Sequence, residues 1–432
     1  MKILLSDASG LTARQVATIL SRRGQTVHVL SPPGITLTKC TSHVSQVHRV
    51  PPFGSDPYVW LDATLSIIKN EKKKGDGEGF DVLICTQEQV TILSAEVERV
   101  RETGIRIAVP DFMSLRRVMD KVSAREALRE AGLRQPDSVV LSSTSELKDL
   151  DILPGYAKLP IATGSTGLRR VSNMQELKTV CQSWHAFAEG GKVLLQKEVK
   201  GPLLMICGIF SHGRLLTWHA CLRVREGVNG GASIKVSCPL PLAEKELETF
   251  GRRLGWHGAL SIEAIIVERK GQKELYYMDI NPRIVEPMNG LLAGVDIVSA
   301  LVDVSFGREA DVDGERPKHG REGMTTHQLM LALLGTAKNG RIELVKEVWM
   351  AVRGLEGYYG YKGSVEELTP IEGDWWSVLV LLVMTVLLFV GGKWMVSKFT
   401  GGTIKSYAIS PAGWKEICRR EDEKGRKKGA TA

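Results

Sequence analysis

Apolar and polar residues alternate with two different periods along the first part of the chain. Short apolar runs such as KILLS (residues 2–6) and TVHVLS (26–31) are typical of buried strands, and residues 11–23 place apolar side chains at helical spacing. The same patterns predict further strands at 47–50, 82–85 and 105–109 and helices at about 58–69 and 89–101. Strands that alternate with helices favour an α/β domain built on a parallel sheet.

A different pattern follows a charged amphipathic helix predicted at 114–132, SLRRVMDKVSAREALREAG, which Gly132 ends. Apolar runs near residues 138, 156, 193, 203 and 215 predict strands, and residues 242–254 and 295–306 predict helices. Residues 257–267 and 274–280 predict a hairpin with the turn ERKGQ. We therefore expect an α/β domain over 1–112, an α+β domain over 113–310 and a C-terminal region over 311–432.

The C-terminal region contains one strongly apolar segment, WWSVLVLLVMTVLLFVGG (375–392), which predicts a helix over about 375–396 followed by a basic tail. Its length is at the lower end of what spans a bilayer, and tryptophans lie at both of its ends, as in interfacial aromatic belts. We expect membrane association, as a span, a re-entrant segment or a surface-lying helix. The alternative is a helix buried in the protein or against a second subunit of a homo-oligomer. A single span would also put the basic tail and the rest of the chain on opposite sides, against the positive-inside bias.

Composition narrows the function classes. The net charge of the 432 residues is +8, but much of the excess lies in the tail, so the body is nearly balanced and nucleic acid is not the expected partner. Seven scattered cysteines without a C-x-x-C pair are typical of reduced thiols, which predicts a cytoplasmic catalytic region. No G-x-G-x-x-G follows the first strand, and no G-x-x-x-x-G-K-[ST] occurs, which disfavours a dinucleotide fold and a P-loop.

Polar side chains leave the last predicted strand of the hairpin, YYMDINPR, at every second position. Asp279, Asn281 and Arg283 should therefore share one face of the strand. Glu263 lies in the middle of the neighbouring strand, GALSIEAI, so that it faces Asp279 and Asn281 across the hairpin. Carboxylate and amide oxygens on adjacent strands suit Mg²⁺ that also binds phosphates.

Two lysines precede the hairpin. Lys121 lies on the charged helix, and Lys158 ends a strand (GYAKLP) directly before the glycine-rich loop IATGSTG, a combination that suits a polyphosphate. The segment LLQKEVKG (194–201) could present backbone groups to an adenine. Each feature is common alone, since a single lysine is usually a solvated charge and GSTG is usually a turn. Their order and spacing favour a nucleotide site.

This order of motifs resembles the ATP-grasp superfamily, which includes biotin carboxylase and the large subunit of carbamoyl-phosphate synthetase. The resemblance covers about residues 1–310 and rests on GALSIEA with MDINPR and on MDKVSAREALREAGL with YAKLPIATGSTG. It implies a parallel-sheet pre-ATP-grasp domain followed by an ATP-grasp fold. Asp279 is a departure, because the family usually has Glu at this position.

The resemblance also implies roles for individual residues. Lys121 and Lys158 would bind the ATP phosphates, and Asn281 with the two carboxylates would hold one or two Mg²⁺ ions, or Mn²⁺ in their place. Arg283 would hold the transferred phosphate or the substrate carboxylate. The remaining implied residues are Gly164, Ser165, Thr166 and Gly167 over the phosphates, Gln196, Lys197, Glu198 and Val199 along the adenine, and Glu263 and Asp279 as the metal-binding carboxylates.

Candidate residues for the other substrates lie on the strand after Trp218 and near the end of the hairpin. The strand after Trp218 carries Arg223 and Arg225, of which either could meet an acyl phosphate or a carboxylate, although both could also be charges at a strand edge. Glu286 could orient an amine, and His257 is expected to be structural.

The resemblance implies an ATP- and Mg²⁺-dependent ligase that activates a small carboxylic acid as an acyl phosphate and joins it to an amine. An ATP-grasp ligase that uses bicarbonate or a thiol acceptor is an alternative, although the chain contains no biotin-carrier or glutamine-amidotransferase sequence. A non-enzymatic alternative is a membrane-tethered ATP-binding module without turnover.

Overall fold

The computed structural model describes the chain except residues 35, 76, 149, 164–165, 309–317, 355–359, 370–372 and 432, together with the side chains of 402, 403, 405 and 428–431. The first region is a parallel sheet in the order β3-β2-β1-β4 with helices around it. Its elements are β1 (Lys2–Leu5), α1 (Leu11–Arg22), β2 (Thr26–Ser31), β3 (Gln46–Arg49), α2 (Pro57–Lys74), β4 (Val82–Ile84), α3 (Val90–Ala95) and α4 (Val97–Arg101). Residues 105–109 form no strand: Arg106 makes only a single bridge to Val82.

The second region begins with two helices and a small antiparallel sheet. Its order is β5-β8-β6-β7. The elements are α5 (Phe112–Met119), α6 (Lys121–Glu130), β5 (Ser138–Leu141), β6 (Gly155–Lys158), β7 (Leu168–Val171), α7 (Met174–Ser183) and β8 (Val193–Lys197). The prediction of one helix over 114–132 was wrong, because Asp120 is extended and its carboxylate caps the second helix by accepting from Val122 N at 2.7 Å. Lys121 is consequently the first residue of α6.

A seven-stranded sheet forms the largest layer, in the order β13-β12-β9-β10-β11-β14-β15. Its last two strands come from beyond residue 310. Together, the small antiparallel sheet, the seven-stranded sheet, which is antiparallel except for the parallel pair β14–β15, and the first parallel sheet confirm the predicted α/β and α+β fold class. The elements are β9 (Leu203–Ser211), β10 (Arg214–Glu226), β11 (Ala232–Ser237), α8 (Pro241–Leu254), β12 (Gly258–Arg269), β13 (Gln272–Asn281), α9 (Pro287–Leu292), α10 (Ile297–Ser305), β14 (Thr325–His327), α11 (Leu329–Ala337), α12 (Arg341–Arg353) and β15 (Val365–Glu366).

The apolar segment forms α13 (Trp375–Tyr407), which is longer than predicted and kinks at Gly392, where φ is +49°. One stripe of α13 packs on α11 and α12 and is buried, including Leu381, Leu388 and Val396. The opposite stripe is exposed. Of the described helices, α13 alone is long and apolar enough over Trp375–Gly401 to cross a membrane by length and composition, with 22% of that window buried.

The basic end of the chain is not a solvated tail. It forms α14 (Pro411–Thr431), which packs on the first region. Trp414 and Ile417 are buried in the same apolar cluster as Phe112 and Trp60. The described charges of α14 are largely paired, for example in an ion pair between Lys424 and Glu96 at 2.8 Å. Sequence alone missed this docking because two apolar residues within a charged segment give a weak signal.

Candidate active site

One large cleft lies where the first region, the four-stranded sheet, the seven-stranded sheet and α13 meet, with a volume of about 860 Å³. Ligand pockets in proteins commonly measure about 300–1,000 Å³, so this cleft has room for a nucleotide and a second substrate. The predicted residues that line it are Lys121, Lys158, Gly167, Gln196, Lys197, Val199, Arg223, Glu263, Asp279, Asn281 and Arg283.

The β12–β13 hairpin brings the predicted oxygen ligands together. Glu263 pairs in register with Asp279, and Ser261 pairs with Asn281, so the carboxylates face the cleft side by side. Met278 is an extra residue in β13 at a β-bulge, which re-aims the residues that follow it. Pairing by register was predictable, but the bulge was not.

The two lysines reach the same end of the cleft from different elements. Lys158 is buried and its Nζ donates to Met278 O at 2.9 Å. Lys121 Nζ donates to Ala162 O at 3.1 Å and lies 3.5 Å from Asp279 Oδ1. The two lysines and the hairpin carboxylates therefore lie close together at one end of the cleft. This arrangement suits a phosphate chain with a bound cation.

Burial shifts the pKa values of Glu263 and Lys158 in this part of the cleft. Burial, together with the nearby Asp279, raises the pKa of Glu263 to about 6. Burial lowers the pKa of Lys158 to about 8, opposed by Asp279 and reinforced by Lys121. Two adjacent carboxylates, one of them buried, are destabilised by mutual repulsion unless a cation is bound between them. Among the described residues no three His, Cys, Asp or Glu side chains cluster as a metal site, so Asn281 and phosphate oxygens would have to complete the coordination.

The lowered pKa of Lys158 predicts a pH-dependent affinity for ATP. Phosphates stabilise the ammonium, so binding requires the protonated lysine, which the free protein loses as the pH rises through about 8. We expect the Kd for ATP to increase by up to about tenfold per pH unit between about pH 8 and 9.5, measured by calorimetric titration with Mg²⁺ present. Lys158→Arg is the control, because its guanidinium remains charged and should flatten the profile. An equal slope in Lys158→Arg would contradict the assignment.

Only some residues of the predicted glycine-rich loop and of the predicted adenine segment line the cleft. Gly164 and Ser165 lie outside the described residues, whereas Gly167 lines the cleft and Thr166 donates its hydroxyl to Thr163 O at 2.8 Å. In the adenine segment, the N–H groups of Lys197 and Glu198 donate to Asp137 O and Pro154 O. An adenine would therefore have to be met by other groups of this segment. The Glu198 side chain does not line the cleft and pairs with Arg170 at 2.7 Å.

The structure separates the two candidate arginines. Arg223 lines the cleft, where its Nη1 donates to Gly230 O at 2.7 Å. Arg225 does not line the cleft; it is buried against Glu347, with Nη1 donating to Oε1 at 2.9 Å. The geometry therefore assigns Arg225 to a structural ion pair and leaves Arg223 as the candidate for substrate binding. Arg283 also lines the cleft, with Nη2 donating to Asn281 Oδ1 at 3.3 Å.

Two further cleft residues are brought into the cleft by parts of the chain that are far apart in sequence. Glu88 is buried, its Oε1 accepts from Thr163, and its Oε2 accepts from Ile409 N at 2.6 Å. Burial raises its pKa to about 7. Tyr407, at the end of α13, lines the cleft, and burial raises its pKa to about 12. No pattern around either residue could have placed it here.

Glu286, considered as an amine-binding residue, also lines the cleft. It has φ +50°, a region that residues other than glycine rarely occupy and that is frequent at functional sites. Its Oε2 lies 2.5 Å from Lys235 Nζ, which is also 2.7 Å from Glu367, so one buried lysine faces the half-buried Glu286 and the buried Glu367. This group carries an excess of negative charge at the edge of the cleft.

No protein-family model matches the chain. Among curated proteins it is similar to biotin carboxylase 2, chloroplastic, of Populus trichocarpa, with 25% identity over 333 residues that cover 70% of this chain and 62% of that protein. The chain thus matches less than two thirds of the length of this relative.

Solved structures share the fold. The chain is similar to carboxyaminoimidazole ribonucleotide synthase from Aspergillus clavatus complexed with ATP, with a TM-score of 0.57, 13% identity and coverage of 81% of this chain and 86% of that one. It is also similar to L-amino acid ligase from Bacillus licheniformis, with a TM-score of 0.53, 15% identity and coverage of 73% and 78%. A third is the biotin carboxylase domain of Hydrogenobacter thermophilus 2-oxoglutarate carboxylase with MgADP and bicarbonate, with a TM-score of 0.53, 17% identity and coverage of 76% and 74%.

Proposed function

We propose, from the ATP-grasp fold that this chain adopts, that it is an ATP- and Mg²⁺-dependent ligase that activates a carboxylic acid as an acyl phosphate and joins it to an amine. The observation that carries the proposal is the single cleft in which Lys121, Lys158 and Arg283 surround the paired carboxylates Glu263 and Asp279. These are the charges that phosphoryl transfer needs, and no nucleophilic side chain is required.

The residues present fit a bound divalent cation. Glu263, Asp279 and Asn281 would hold it, because a cation offsets both the burial and the repulsion from Asp279 that raise the pKa of Glu263. Bound Mg²⁺ neutralises phosphate oxygens and favours in-line transfer. The lysines would hold the phosphate chain, and Arg283 would face the γ-phosphate as it moves.

Two bond exchanges complete the proposed reaction. A carboxylate oxygen of the acid attacks the γ-phosphorus, and the new P–O bond forms as the bond to ADP breaks. The amine nitrogen then attacks the acyl carbon, the C–O bond to phosphate breaks, and the amine loses a proton to water. Arg223 would neutralise the acid, and Glu286 would attract the amine.

The test follows ADP and phosphate release with ATP, Mg²⁺ and a panel of acids and amines. Release that requires both an acid and an amine supports the proposal. Release with bicarbonate alone would favour a carboxylase-type reaction, an alternative suggested by the bicarbonate in the Hydrogenobacter thermophilus complex, and release with a thiol would indicate thioester formation. Tight ATP binding without turnover for any pair would favour a binding module.

We further propose that α13 lies on a membrane surface rather than spanning the membrane. Both of its ends contact the first region: Asp374 pairs with Arg14 at 2.5 Å, and Ile409, just beyond the helix, donates to Glu88. A span would need to separate these ends across about 30 Å of hydrocarbon. This arrangement also removes the conflict with the positive-inside bias.

We also propose domain boundaries at about residues 112 and 310, with the C-terminal region packed on the first and second regions.

Exposed apolar residues of α12 accompany the exposed stripe of α13, on which Arg341 of α12 donates to Phe389 O at 2.9 Å, and we call the two sets together the outer apolar face. Its most exposed members include Val386 on α13 and Ile342 and Val352 on α12, at 62%, 72% and 81% exposure. Cationic side chains lie over tryptophan rings on this face: Arg353 is 4.2 Å from the Trp349 ring centroid, and Lys398 Nζ is 5.1 Å from the Trp394 ring centroid. Apolar side chains with flanking tryptophans and cations suit a surface of anionic lipid.

We expect the protein to float with vesicles of phosphatidylcholine and phosphatidylglycerol. Leu382→Glu with Val386→Glu should weaken binding by about a hundredfold or more, since each buried aliphatic side chain contributes about 1.5–3 kcal/mol. Deleting the C-terminus is a poorer test, because α14 completes the core of the first region.

The matched control is Val59→Glu with Met113→Glu, two exposed apolar residues away from this face, which should not change flotation. A different pair of results would contradict the membrane proposal. If the protein does not float, and if light scattering shows a dimer that the α13 variants convert to a monomer, the outer apolar face is a subunit interface of a homo-oligomer.

A further inference from the structure

The cleft has a polar end and an apolar end. The polar end holds the lysines and carboxylates described above. The other end, which we call the apolar lobe, is lined by α11, α13 and a loop of the first region, and none of its side chains named here is charged. Its main residues are Leu37, Met330, Leu331, Leu334, Val380 and Met384. The phosphates of a nucleotide would not occupy such a surface, because a charged group there would lose its hydration without gaining a partner.

The lobe starts beside the candidate substrate arginine. Arg223 donates to Gly230 O at 2.7 Å, and a Cβ on the next residue, Gly231, would lie 3.2 Å from Cδ1 of Leu331. The apolar residues of the lobe therefore begin next to the backbone that Arg223 contacts. A side chain at position 231 would crowd Leu331.

We infer that the acid is amphipathic, with a carboxylate bound at Arg223 and a linear apolar tail in the apolar lobe. This inference deepens the proposed function and rests on it. The outer wall of the lobe is α13: Val380 and Met384 face the lobe, whereas Leu382, Val383 and Val386 belong to the outer apolar face. One helix thus separates the tail site from the surface that we propose contacts lipid, which suits a substrate that partitions into membranes.

The experiment measures ADP release with linear saturated acids of increasing length and one fixed amine. We expect kcat/KM to rise by about fourfold for each added methylene until the lobe is full. Val380→Trp should shorten the longest acid accepted while leaving the shortest acids and the KM for ATP unchanged. Val383→Trp, three residues further along α13 on the outer apolar face, is the matched control and should leave the length profile unchanged.

Binding of dansylaminoundecanoic acid, followed by its fluorescence, gives a readout that does not depend on turnover. Weaker binding in Val380→Trp than in Val383→Trp supports the tail site even if no ADP is released, in which case only the ligase proposal fails. Turnover that is independent of acid length, or probe binding that is equal in both variants, would overturn the tail site and leave the ligase proposal standing.

Discussion

Asp279→Ala should lower ADP release by about two to three orders of magnitude while the protein still folds. Asp279 pairs in register with Glu263 and lies 3.5 Å from Lys121, at the centre of the charged end of the cleft. Its removal takes away one metal-binding carboxylate, and electrostatic contacts of this kind typically contribute about 3–4 kcal/mol to the transition state. The measurement is kcat/KM for ATP at saturating Mg²⁺.

Two variants sharpen this result. Asp279→Glu should keep activity within about tenfold, because the resemblance implies Glu at this position in most of the family and the carboxylate is only one methylene longer. Glu274→Ala removes a carboxylate from the same strand that pairs with Arg134 away from the cleft, and it should have little effect. If Asp279→Ala remained as active as Glu274→Ala, the site would lie elsewhere.

Arg14→Leu should destabilise the protein by about 3–5 kcal/mol, which is a large fraction of the stability of an ordinary domain. The guanidinium is fully buried, with Nη2 2.5 Å from Asp374 and Nε donating to Leu368 O at 2.9 Å. Its removal leaves the Asp374 carboxylate buried without its cation. The free energy of unfolding in urea measures the effect.

Arg129→Leu is the comparison, because Arg129 is 67% exposed and pairs with Glu126 within one helix, where solvent-exposed ion pairs contribute little to stability. A double variant, Arg14→Leu with Asp374→Leu, should recover much of the loss, since apolar pairs often replace buried ion pairs without penalty. A loss no larger than that of Arg129→Leu would mean that α13 is not held at this end.

The sequence was most informative where chemistry depends on local geometry. The pairing of Glu263 with Asp279 follows from the hairpin and its two-residue period, and Lys158 follows from a strand that runs into a glycine-rich loop. Such features need only neighbouring residues, so both the ATP-grasp resemblance and the fold class could be predicted and are confirmed.

Long-range contacts could not be predicted. Arg223 and Arg225 are two residues apart on one strand, so period alone gives them the same face, but a register shift between them leaves Arg225 with Glu347 and Arg223 in the cleft. Glu88 and Tyr407 meet in the cleft from opposite parts of the chain. The sequence shows that the segment 375–392 is apolar, but it does not show where its ends lie. The contacts of both ends of α13 with the first region favour a surface-lying helix.

The packing of α14 against the first region has a consequence for folding during translation. Trp414 packs against Phe112 with ring centroids 5.9 Å apart, and Ile417 is fully buried in the same cluster. During translation the first region emerges early, but these two side chains follow about 300 residues later, roughly 15–60 seconds at about 5–20 residues per second. For that interval we expect the nascent first region to expose the apolar groove that α14 later fills and therefore to bind chaperones. We also expect late truncations to be more harmful than their distance from the active site would suggest.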